Sequence, residues 1–475
     1  MHPSRKIYLL DPKKLSPETI AVAFAKTSRS PRSFQEIAEE LTDDRSADFH
    51  EKWVVGYGHS SVAEHAVLHI ALENISRLAV ECLESNRLAS YTEKSSRYQV
   101  WDATHFHIPA ELRDPSIRQN FTDTCQMLFQ NYQQAVDQVS QHLEKASSRL
   151  VGESEGQYKQ RLRTLTADVC RYYLPACSLA NVGTTINARS LEYAICKMLS
   201  HPLLEVRQIG EEIKAVALEN IPTLVKYANC RPYLAEMPQD LQTFTASLPA
   251  ANPSGADWLS CTGWDADGIQ KVLAAVLYRY TGIPYRQVYS QIMEYAPEML
   301  KALVMTLIGK MTSHDAPLRE LEYASIGFDI TLDQGAYFEL KRHRMMTQTP
   351  QPLTARLGYA LPSLLVEAGL QRHFEVSMKA AQTCYERIAV SHPDAASYIV
   401  PNAFNRRVLI EMNLRSAHHL IRLRTAANAH FAIRRAALRI MEELHMKYPL
   451  FGDLFQSELG ETWQQLEKDA FLSTN

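Results

Sequence analysis

Hydrophobic and polar positions along the chain follow two similar series of patterns. Val67–Ile75 and Tyr323–Leu332 alternate apolar and polar residues and are rich in β-formers, so both are predicted strands. Ser76–Glu84 has helical spacing and is a predicted helix. Three longer stretches predict amphipathic helices: Thr122–Leu143, Arg189–Asn220 with an interruption at Pro202, and Ser416–Tyr448. Strands and long helices in alternation, twice, predict an α+β protein with two similar lobes.

The ends and the middle of the chain set the expected domain boundaries. The apolar run Ile7–Leu10 lies within a polar N-terminal segment and is too short for a signal peptide, so we predict an opening β-strand there. A chain of 475 residues exceeds one ordinary core. The Pro-rich stretch Tyr227–Ser260 lacks sustained periodicity. We therefore predict domains at residues 1–227 and 261–475, joined by a linker at 228–260.

Composition narrows the class of protein. Hydrophobic content of 46% with 22% charged residues is typical of a soluble globular protein. A net charge of −3 argues against a general nucleic-acid or membrane-surface binder, and no run has the length of a transmembrane helix. The eight cysteines contain no CxxC pair, so we expect reduced thiols in a cytoplasmic protein.

Two segments of the chain are partial copies of one pattern. The first, at residues 85–98, reads SNRLASYTEKSSRY, and the second, at residues 342–356, reads RHRMMTQTPQPLTAR. The first has a complete Ser/Ser/Arg tail but Ser-Asn in front of its first arginine. The second has Arg-His-Arg but Thr347 and Pro352 at the two serine positions. Its Thr354 and Arg356 could replace the missing tail only with a shift of two residues.

Later motifs repeat with a constant spacing. Pro401 follows Pro175 by 226 residues (401 − 175), and Asn413 follows Asn187 by the same 226 (413 − 187). Each asparagine begins an Asn-x-Arg-Ser sequence. The matching spacing indicates that the chain is a tandem repeat.

The earlier motifs have a longer spacing. Arg344 follows Arg87 by 257 residues (344 − 87), so the first half has 31 extra residues (257 − 226) between its motifs. We place this insertion around Glu144–Arg163. Gly58–His65 and Ser313–Glu320 form a third matching pair of segments.

The residue types in these motifs suit the binding of phosphate. Arg-His-Arg presents two guanidiniums and an imidazole to one small volume, and arginine forks bind phosphate oxygens in a bidentate manner. The Ser/Ser/Arg tail adds two hydroxyl groups and a further guanidinium. Eight arginines also lie between Arg406 and Arg439, opposed only by Glu411. We expect this run to add to a phosphate site rather than to form a solvated helix face.

No conventional catalytic motif occurs in the chain. There is no GxSxG, P-loop, GxGxxG after a strand, or Cys paired with a His. Histidines that could suggest a metal have only generic spacing, so we expect no metal. They are His59, His65, His69, His418, His419 and His430. Without a protein nucleophile, a bound cofactor would supply the chemistry.

Both segments resemble the RHRxxSxxxxSxR signature of the flavin-dependent thymidylate synthases. The resemblance extends over nearly the whole chain and implies two tandem copies of that α+β fold, an antiparallel or mixed sheet with long helices. It implies an enzyme that makes dTMP from dUMP, with methylenetetrahydrofolate, FAD and NADPH. Members of this family are usually homotetramers whose active sites lie between subunits. The resemblance therefore implies a homodimer of tandem chains that forms a pseudo-tetramer.

Matching the motifs residue by residue implies two groups of site residues. The expected cofactor-binding residues are Arg342, His343, Arg344, Glu64, His65, Arg87, Asn413 and Arg415, with Asn187 and Arg189 matching the last two. The expected nucleotide-binding residues are Ser90, Glu93, Ser95, Arg97, Arg171 and Arg424. Arg171 and Arg424 each occur in one half only, with Ser397 and Met198 at the other positions.

We therefore expect a composite site in which the first half's loop meets the second half's Arg-His-Arg, while the reciprocal site is dead. The chain departs from the family's pattern at a position that bears on the choice of substrate. The glutamine that faces the base in the family is Cys82 in one half and Glu339 in the other. The second half also has Arg319-Glu320 in place of Glu-His. Two alternatives stay open: methylation of another uridine nucleotide, and a degenerate paralogue that binds nucleotide or flavin without catalysis.

Overall fold

The computed structural model describes residues 5–28, 30–41, 43–56, 60–95, 97, 101, 105–245, 247–248 and 257–472. Helices and antiparallel strands make up the fold, which is of the α+β class. To residue 225 the elements are α1 (Pro17–Thr27), α2 (Phe34–Glu39), α3 (Asp43–Phe49), β1 (Val67–Ser76), α4 (Arg77–Glu84), β2 (Ala89–Glu93), α5 (Pro115–Ala146), α6 (Glu155–Cys170), β3 (Leu179–Asn187), α7 (Ala188–Leu199), α8 (Leu204–Leu218) and α9 (Pro222–Val225).

The remaining elements repeat much of this order. They are α10 (Pro232–Thr245), β4 (Leu259–Trp264), α11 (Gly268–Tyr278), α12 (Tyr285–Met293), α13 (Pro297–Ile308), β5 (Ser325–Asp333), α14 (Gln334–Leu340), β6 (Thr347–Pro350), α15 (Ser363–Glu367), α16 (Gln371–Ala389), α17 (Pro393–Ala396), β7 (Asn405–Asn413), α18 (Leu414–Arg424), α19 (Phe431–Lys447) and α20 (Trp463–Ala470). Short 3₁₀ turns precede β1, β3, β5 and β7 and follow α19, and a π-helix follows α3. Among the helices described here, none combines the length and apolar character needed to cross a membrane.

The chain divides into two compact units. The first unit contains Met1–Lys94, His105–Pro115 and Cys177–Ala251, and the second contains Ser95–Thr104, Ser116–Ala176 and Asn252–Asn475. The second unit therefore includes helices α5 and α6, which belong to the first sequence repeat. The domain boundaries expected from the repeat itself stay a prediction.

Within the described residues, each unit contains one antiparallel sheet. The first has strand order β1-β3-β2, and the second has order β4-β5-β7-β6. In β1, alternate residues Leu68, Ile70 and Leu72 are buried, which is the pattern that the sequence predicted. The register shifts between Leu72 and Ile75, where Asn74 has a φ of 59°. Asparagine tolerates this left-handed conformation better than most residues.

Equivalent side chains cap equivalent helices in the two repeats. Ser76 caps α4 by accepting from the Ala79 amide (3.1 Å), and Asp333 caps α14 by accepting from the Ala336 amide (2.8 Å). Asn187 and Asn413 cap α7 and α18 in the same way. These polar side chains are therefore explained in part by helix capping.

Two proline-containing segments pair with each other inside the second unit. Pro175 and Pro401, the equivalent residues of the repeats, form an antiparallel bridge. The Ala176 amide donates to the Val400 carbonyl (3.0 Å), and the Asn402 amide donates to the Leu174 carbonyl (3.0 Å). Contact between equivalent residues is the mark of a local two-fold relation. The first repeat thus contributes backbone directly to the compact unit that holds Arg-His-Arg.

Several predicted elements are confirmed and others are corrected. The predicted strands and the first helix match β1, β5 and α4, although Tyr323 belongs to the 3₁₀ turn (Arg319–Tyr323) that precedes β5. The predicted break near Pro202 separates α7 from α8. Residues 7–10 form no strand, and the loops of both signature segments contain short strands, β2 and β6.

Three longer predictions also change. The helix expected over Ser416–Tyr448 is two helices, because the chain leaves helical geometry between α18 and α19, where His430 caps α19. The linker contains α10, which buries none of its residues, and the first residues of β4. The inserted residues lengthen α5 to 32 residues against 19 in α16, and α6 to 16 residues against 4 in α17.

Candidate active site

The second Arg-His-Arg lies directly after α14, and a buried carboxylate at the end of that helix organises its surroundings. Glu339 is 6% exposed. Its Oε2 atom lies 3.1 Å from Nη1 of Arg424, and its Oε1 atom lies 3.5 Å from Nη2 of Arg171. Arg424 ends α18, whereas Arg171 follows α6 in the first repeat. One carboxylate therefore joins arginines from both repeats within the second unit.

His343 completes this cluster as a neutral acceptor. Nε of Arg424 donates to Nε2 of His343 at 2.8 Å, so the ring proton of the neutral imidazole resides on Nδ1. Burial, together with the charge of Arg424 and the neighbouring His419, lowers the pKa of His343 to about 3. At neutral pH His343 thus carries no charge, and its contact in this structure is to Arg424.

Arg171 is the most enclosed cation of the cluster. It is 3% exposed and lies beside the first turn of α14, where a Cβ atom on Gly335 would be 3.3 Å from its Nη2 atom. The backbone carbonyl of Arg171 accepts from Nδ2 of Asn402 at 2.9 Å, which anchors the segment. Its Nε and Nη2 atoms are buried and make no hydrogen bond within the described part of the chain. Nη2 faces Glu339, so Nε is the donor that can form a hydrogen bond to a ligand oxygen.

Arg97 of the first repeat is also in the second unit and is held rigidly. Its guanidinium forms a bidentate ion pair with Asp168 (2.6 and 2.9 Å), and Nη1 donates to the Asn428 carbonyl at 3.0 Å. The break between α18 and α19 exposes that carbonyl. His430 lies against the Asp168 carbonyl at 3.1 Å. Burial is the main effect that lowers the pKa of Arg424. The nearby charges of Arg342 and Arg97 lower it further.

The other predicted residues of the second unit surround this cluster less tightly. Arg342 is exposed and Arg344 is half-buried. Oγ of Ser95 accepts from the Arg97 amide at 3.1 Å. Arg415 pairs with Glu322 (2.9 Å) and donates from Nε to the Pro317 carbonyl (3.0 Å).

The remaining predicted residues lie in the first unit. Glu64 pairs with Arg189, which repeats the pairing of Arg415 in the other repeat. The exposed ring of His65 lies 4.9 Å from that of Phe24. Arg87 and Ser90 are also exposed.

Glu93, the last residue of β2, has a buried partner at the start of α4. Its carboxylate forms a buried ion pair with Arg77 at 3.2 Å. The expected Ser/Ser/Arg loop is therefore divided, with Ser90 and Glu93 in the first unit and Ser95 and Arg97 in the second.

In the first unit, a lysine forms hydrogen bonds with the incomplete copy of the signature. Nζ of Lys197 donates to Oγ of Ser85 (2.5 Å) and Oδ1 of Asn86 (2.9 Å), the two positions where the first copy lacks Arg-His. Burial lowers the pKa of Lys197 and raises that of Cys82 to about 11. The thiol is therefore protonated at neutral pH and is a poor nucleophile. The hydrogen-bonding groups of this counterpart are satisfied within the protein.

The comparisons with known proteins identify the family. The model of a family described as "Thymidylate synthase complementing protein" matches residues 10–223 and 264–450, which is most of the chain and both repeats.

The chain belongs to this family.

Some relatives match this member of the thymidylate synthase complementing family over most of its length. A UPF0159 protein of Chlamydia muridarum is 31% identical over 454 residues, covering 91% of this chain and 86% of the relative. Flavin-dependent thymidylate synthases match a single repeat, as in Clostridium tetani, with 27% identity over 45% of this chain and 82% of that protein. Thymidylate synthase X of Helicobacter pylori, solved with FAD and dUMP, has a TM-score of 0.31 and 20% identity, covering 42% of this chain and 99% of that one.

The arginine-rich run has a different role from the one expected. Arg434, Arg435 and Arg439 form ion pairs with acidic residues that include Glu461 and Glu467 of the C-terminal segment. They stack on aromatic rings as well, with Arg435 4.2 Å from the Trp258 ring and Arg439 4.8 Å from the Trp463 ring. The other arginines before Arg424 also have acceptors within the protein: Arg406, Arg407, Arg415 and Arg422. These contacts give the run a structural role within the protein, and its contribution to a phosphate site stays a prediction.

The second-half loop does not contain a simple substitute for the missing tail. Arg356 forms a bidentate pair with Glu386 (2.9 and 2.8 Å) and lies over the Tyr385 ring.

No group of three or more metal-binding side chains occurs among the described residues, and His59 lies outside them.

Sequence reasoning missed two residues of this region. Asp168 fixes Arg97, but an acid three residues before Arg171 gives no distinctive signal. Lys197 directly precedes Met198, the counterpart of Arg424 in the first repeat. A lysine beside the position where the arginine is missing was a signal that could have been used.

Proposed function

We propose that this protein is an enzyme of the flavin-dependent thymidylate synthase type, which converts dUMP to dTMP at one composite site per chain. The observation that carries the proposal is the buried cluster in which Glu339 joins Arg171 of the first repeat to Arg424 of the second. Homologous enzymes that consist of one repeat are named flavin-dependent thymidylate synthases. The tandem chain would supply both halves of the site itself.

The electrostatics of the cluster support an anionic ligand. Asp168 pairs with Arg97, Glu339 lies between Arg171 and Arg424, and the buried Asp333 also interacts with Arg171. The exposed Arg342 adds a further positive charge close to Arg424. Guanidiniums held in a region with little solvent bind an anionic ligand more strongly than they would at an open surface. The buried donors of Arg171 support a ligand that presents oxygen atoms.

The residues present fit a flavin nucleotide. Arg342 is exposed beside the cluster and Arg344 is half-buried, so both can present guanidiniums to the phosphates of FAD. FAD, when bound, would supply the transfer of the hydride and of the one-carbon group. NADPH and methylenetetrahydrofolate are the co-substrates that this proposal requires, and a homodimer is the expected assembly.

The protein's own residues would bind and orient the ligands. His343 accepts a hydrogen bond from Arg424 and holds its guanidinium in one orientation, and Asp168 holds that of Arg97. A fixed guanidinium loses little entropy when it binds an oxyanion, which favours productive orientation. Because His343 is neutral and engaged, we assign it a holding role rather than proton transfer.

The first unit supports a single site per chain. Its counterpart of the signature has Lys197 bonded to Ser85 and Asn86, and its counterparts of Glu339 and Arg424 are Cys82 and Met198. This arrangement offers a protonated thiol and a thioether where the other repeat offers charged groups. We therefore propose that it stabilises the fold and binds no nucleotide.

Product formation tests the proposal directly. Purified protein with FAD, NADPH, methylenetetrahydrofolate and dUMP is expected to yield dTMP, measured by chromatography. Arg171→Met should abolish product, whereas Arg356→Met should not, because Arg356 has its own partner in Glu386. Turnover of UMP without turnover of dUMP would shift the proposal to another uridine nucleotide. Absence of turnover on either, with flavin bound, would contradict it.

A further inference from the structure

We propose that Glu339 is a positioning residue, whose carboxylate fixes Arg171 and Arg424 in the orientation that binds the nucleotide. The inference rests on the proposed function. It assigns a role to the residue at which the chain departs from the family's glutamine. Both carboxylate oxygens face guanidiniums, so Glu339 is directed toward the arginines.

Burial makes this carboxylate necessary. Arg171 and Glu339 are 3% and 6% exposed, and Arg424 is largely enclosed. Two guanidiniums that share a volume with little water repel each other unless an anion lies between them. Arg424 is also close to Arg97 and Arg342, whose charges lower its pKa in addition to the larger effect of burial. Without Glu339, Arg171 and Arg424 would lack the anion that lies between them, and we expect Arg424 to turn toward solvent.

Glu339 does not occupy all the N–H donors of the two arginines, so it can position them without competing with the ligand. A guanidinium has five N–H donors. Glu339 takes one hydrogen bond from Arg424, and its contact with Arg171 is longer, at 3.5 Å. Nη2 of Arg171 faces Glu339, and Nε of Arg171 makes no hydrogen bond among the described residues. Glu339 can therefore hold both arginines and still leave the Nε donor of Arg171 for a ligand.

A glutamine at this position would not perform the same task. Its amide is uncharged and presents one acceptor, so it could accept from one arginine while its NH₂ group faced the donors of the other. The chain has both arginines in one enclosed cluster, and a carboxylate is the side chain that can accept from both. This accounts for glutamate at residue 339 without a change of nucleotide base.

The test measures dUMP binding to the flavin-loaded protein by calorimetry. Glu339→Gln is expected to weaken the Kd for dUMP by about tenfold or more, because one partner of a buried charge pair is removed. Glu339→Asp, which keeps the charge but is shorter, should lie between that variant and the wild type. Glu386→Gln removes the partner of Arg356, in an ion pair exposed to solvent, and should leave the Kd unchanged.

A double variant separates positioning from general destabilisation. If Glu339 acts through Arg171, adding Glu339→Gln to Arg171→Met should weaken dUMP binding by much less than it does in the wild type. Independent losses would overturn the inference. So would a folded Glu339→Gln variant that binds dUMP as tightly as the wild type, or more tightly.

The inference is also testable if the proposed function fails. If the wild type binds no dUMP, the coupling can still be measured by thermal unfolding of Glu339→Gln, Arg171→Met and the double variant. We then expect the double variant to lower the unfolding temperature by less than the two single variants together. Additive lowering would show that Glu339 does not hold Arg171.

Discussion

Acidification should destabilise the second unit through His343. This imidazole is 7% exposed, accepts a hydrogen bond from Arg424, and has a pKa lowered to about 3 by burial and by neighbouring positive charge. In the unfolded chain its pKa returns to an ordinary value of about 6.5. The unfolded state therefore takes up a proton between these two values, and the folded state does not.

The sign and size of the effect follow from this difference. The contribution of His343 to stability is complete above pH 6.5 and is lost as the pH falls from there toward 3. At pH 5 the unfolded imidazole is almost fully protonated, and the free energy of unfolding should be lower than at pH 7.5 by about 2 kcal/mol from this residue alone.

His343→Asn is the variant that isolates this contribution. Asparagine occurs at the equivalent position of the first repeat, where Oδ1 of Asn86 accepts from Lys197 at 2.9 Å, so the hydrogen bond to Arg424 can be kept without a titrating group. Denaturant unfolding at pH 7.5 and 5.0 measures the difference. Tryptophan fluorescence reports mainly on the second unit, because four of the five tryptophans belong to it: Trp101, Trp258, Trp264 and Trp463.

The wild type should lose about 2 kcal/mol more than His343→Asn between the two pH values. Other titrating groups change equally in both proteins and cancel. An equal loss in both would refute the reasoning, since it would mean that His343 is not held neutral against Arg424.

Three further predictions concern the cluster and its counterpart. Asp168→Asn should lower the free energy of unfolding by about 3 kcal/mol, measured by denaturant unfolding, because Arg97 would stay buried without its bidentate partner; a change no larger than that of an exposed pair would contradict this. Lys197→Met should cost about 1–3 kcal/mol of stability, because Oδ1 of Asn86 loses its donor, yet leave flavin content unchanged; loss of flavin would contradict a structural role. Arg344→Ala should reduce the flavin retained through gel filtration, and full retention would remove Arg344 from the site.

Much of the fold could be predicted from local patterns. The alternation in Val67–Ile75 corresponds to β1, and the break at Pro202 corresponds to the junction of α7 and α8. The break between α18 and α19 could not be predicted, because the sequence TAANAH at residues 425–430 contains neither Gly nor Pro. That break matters for the site, since it releases the Asn428 carbonyl to Arg97.

The sequence placed Arg171 and Arg424 in one predicted site, and the structure brings both of them to Glu339, while their binding of a ligand stays a prediction. Motif matching identified Arg171 and Arg424, but it did not show that Glu339 joins them. The ion pairs of the arginine run could not be predicted, because partners such as Glu461 and Glu467 come from a C-terminal segment that only the tertiary structure brings to α19. Charge pairing of this kind depends on distance in space, which spacing along a sequence does not encode.

The stoichiometry of flavin is the most direct test of a single composite site per chain. The purified protein would be loaded with FAD, freed of excess by gel filtration, and measured by absorbance before and after the addition of dUMP. The account predicts one flavin per chain and a spectrum that dUMP perturbs. Two flavins per chain would contradict the dead counterpart in the first unit, and a protein that takes up no FAD would contradict the enzyme itself.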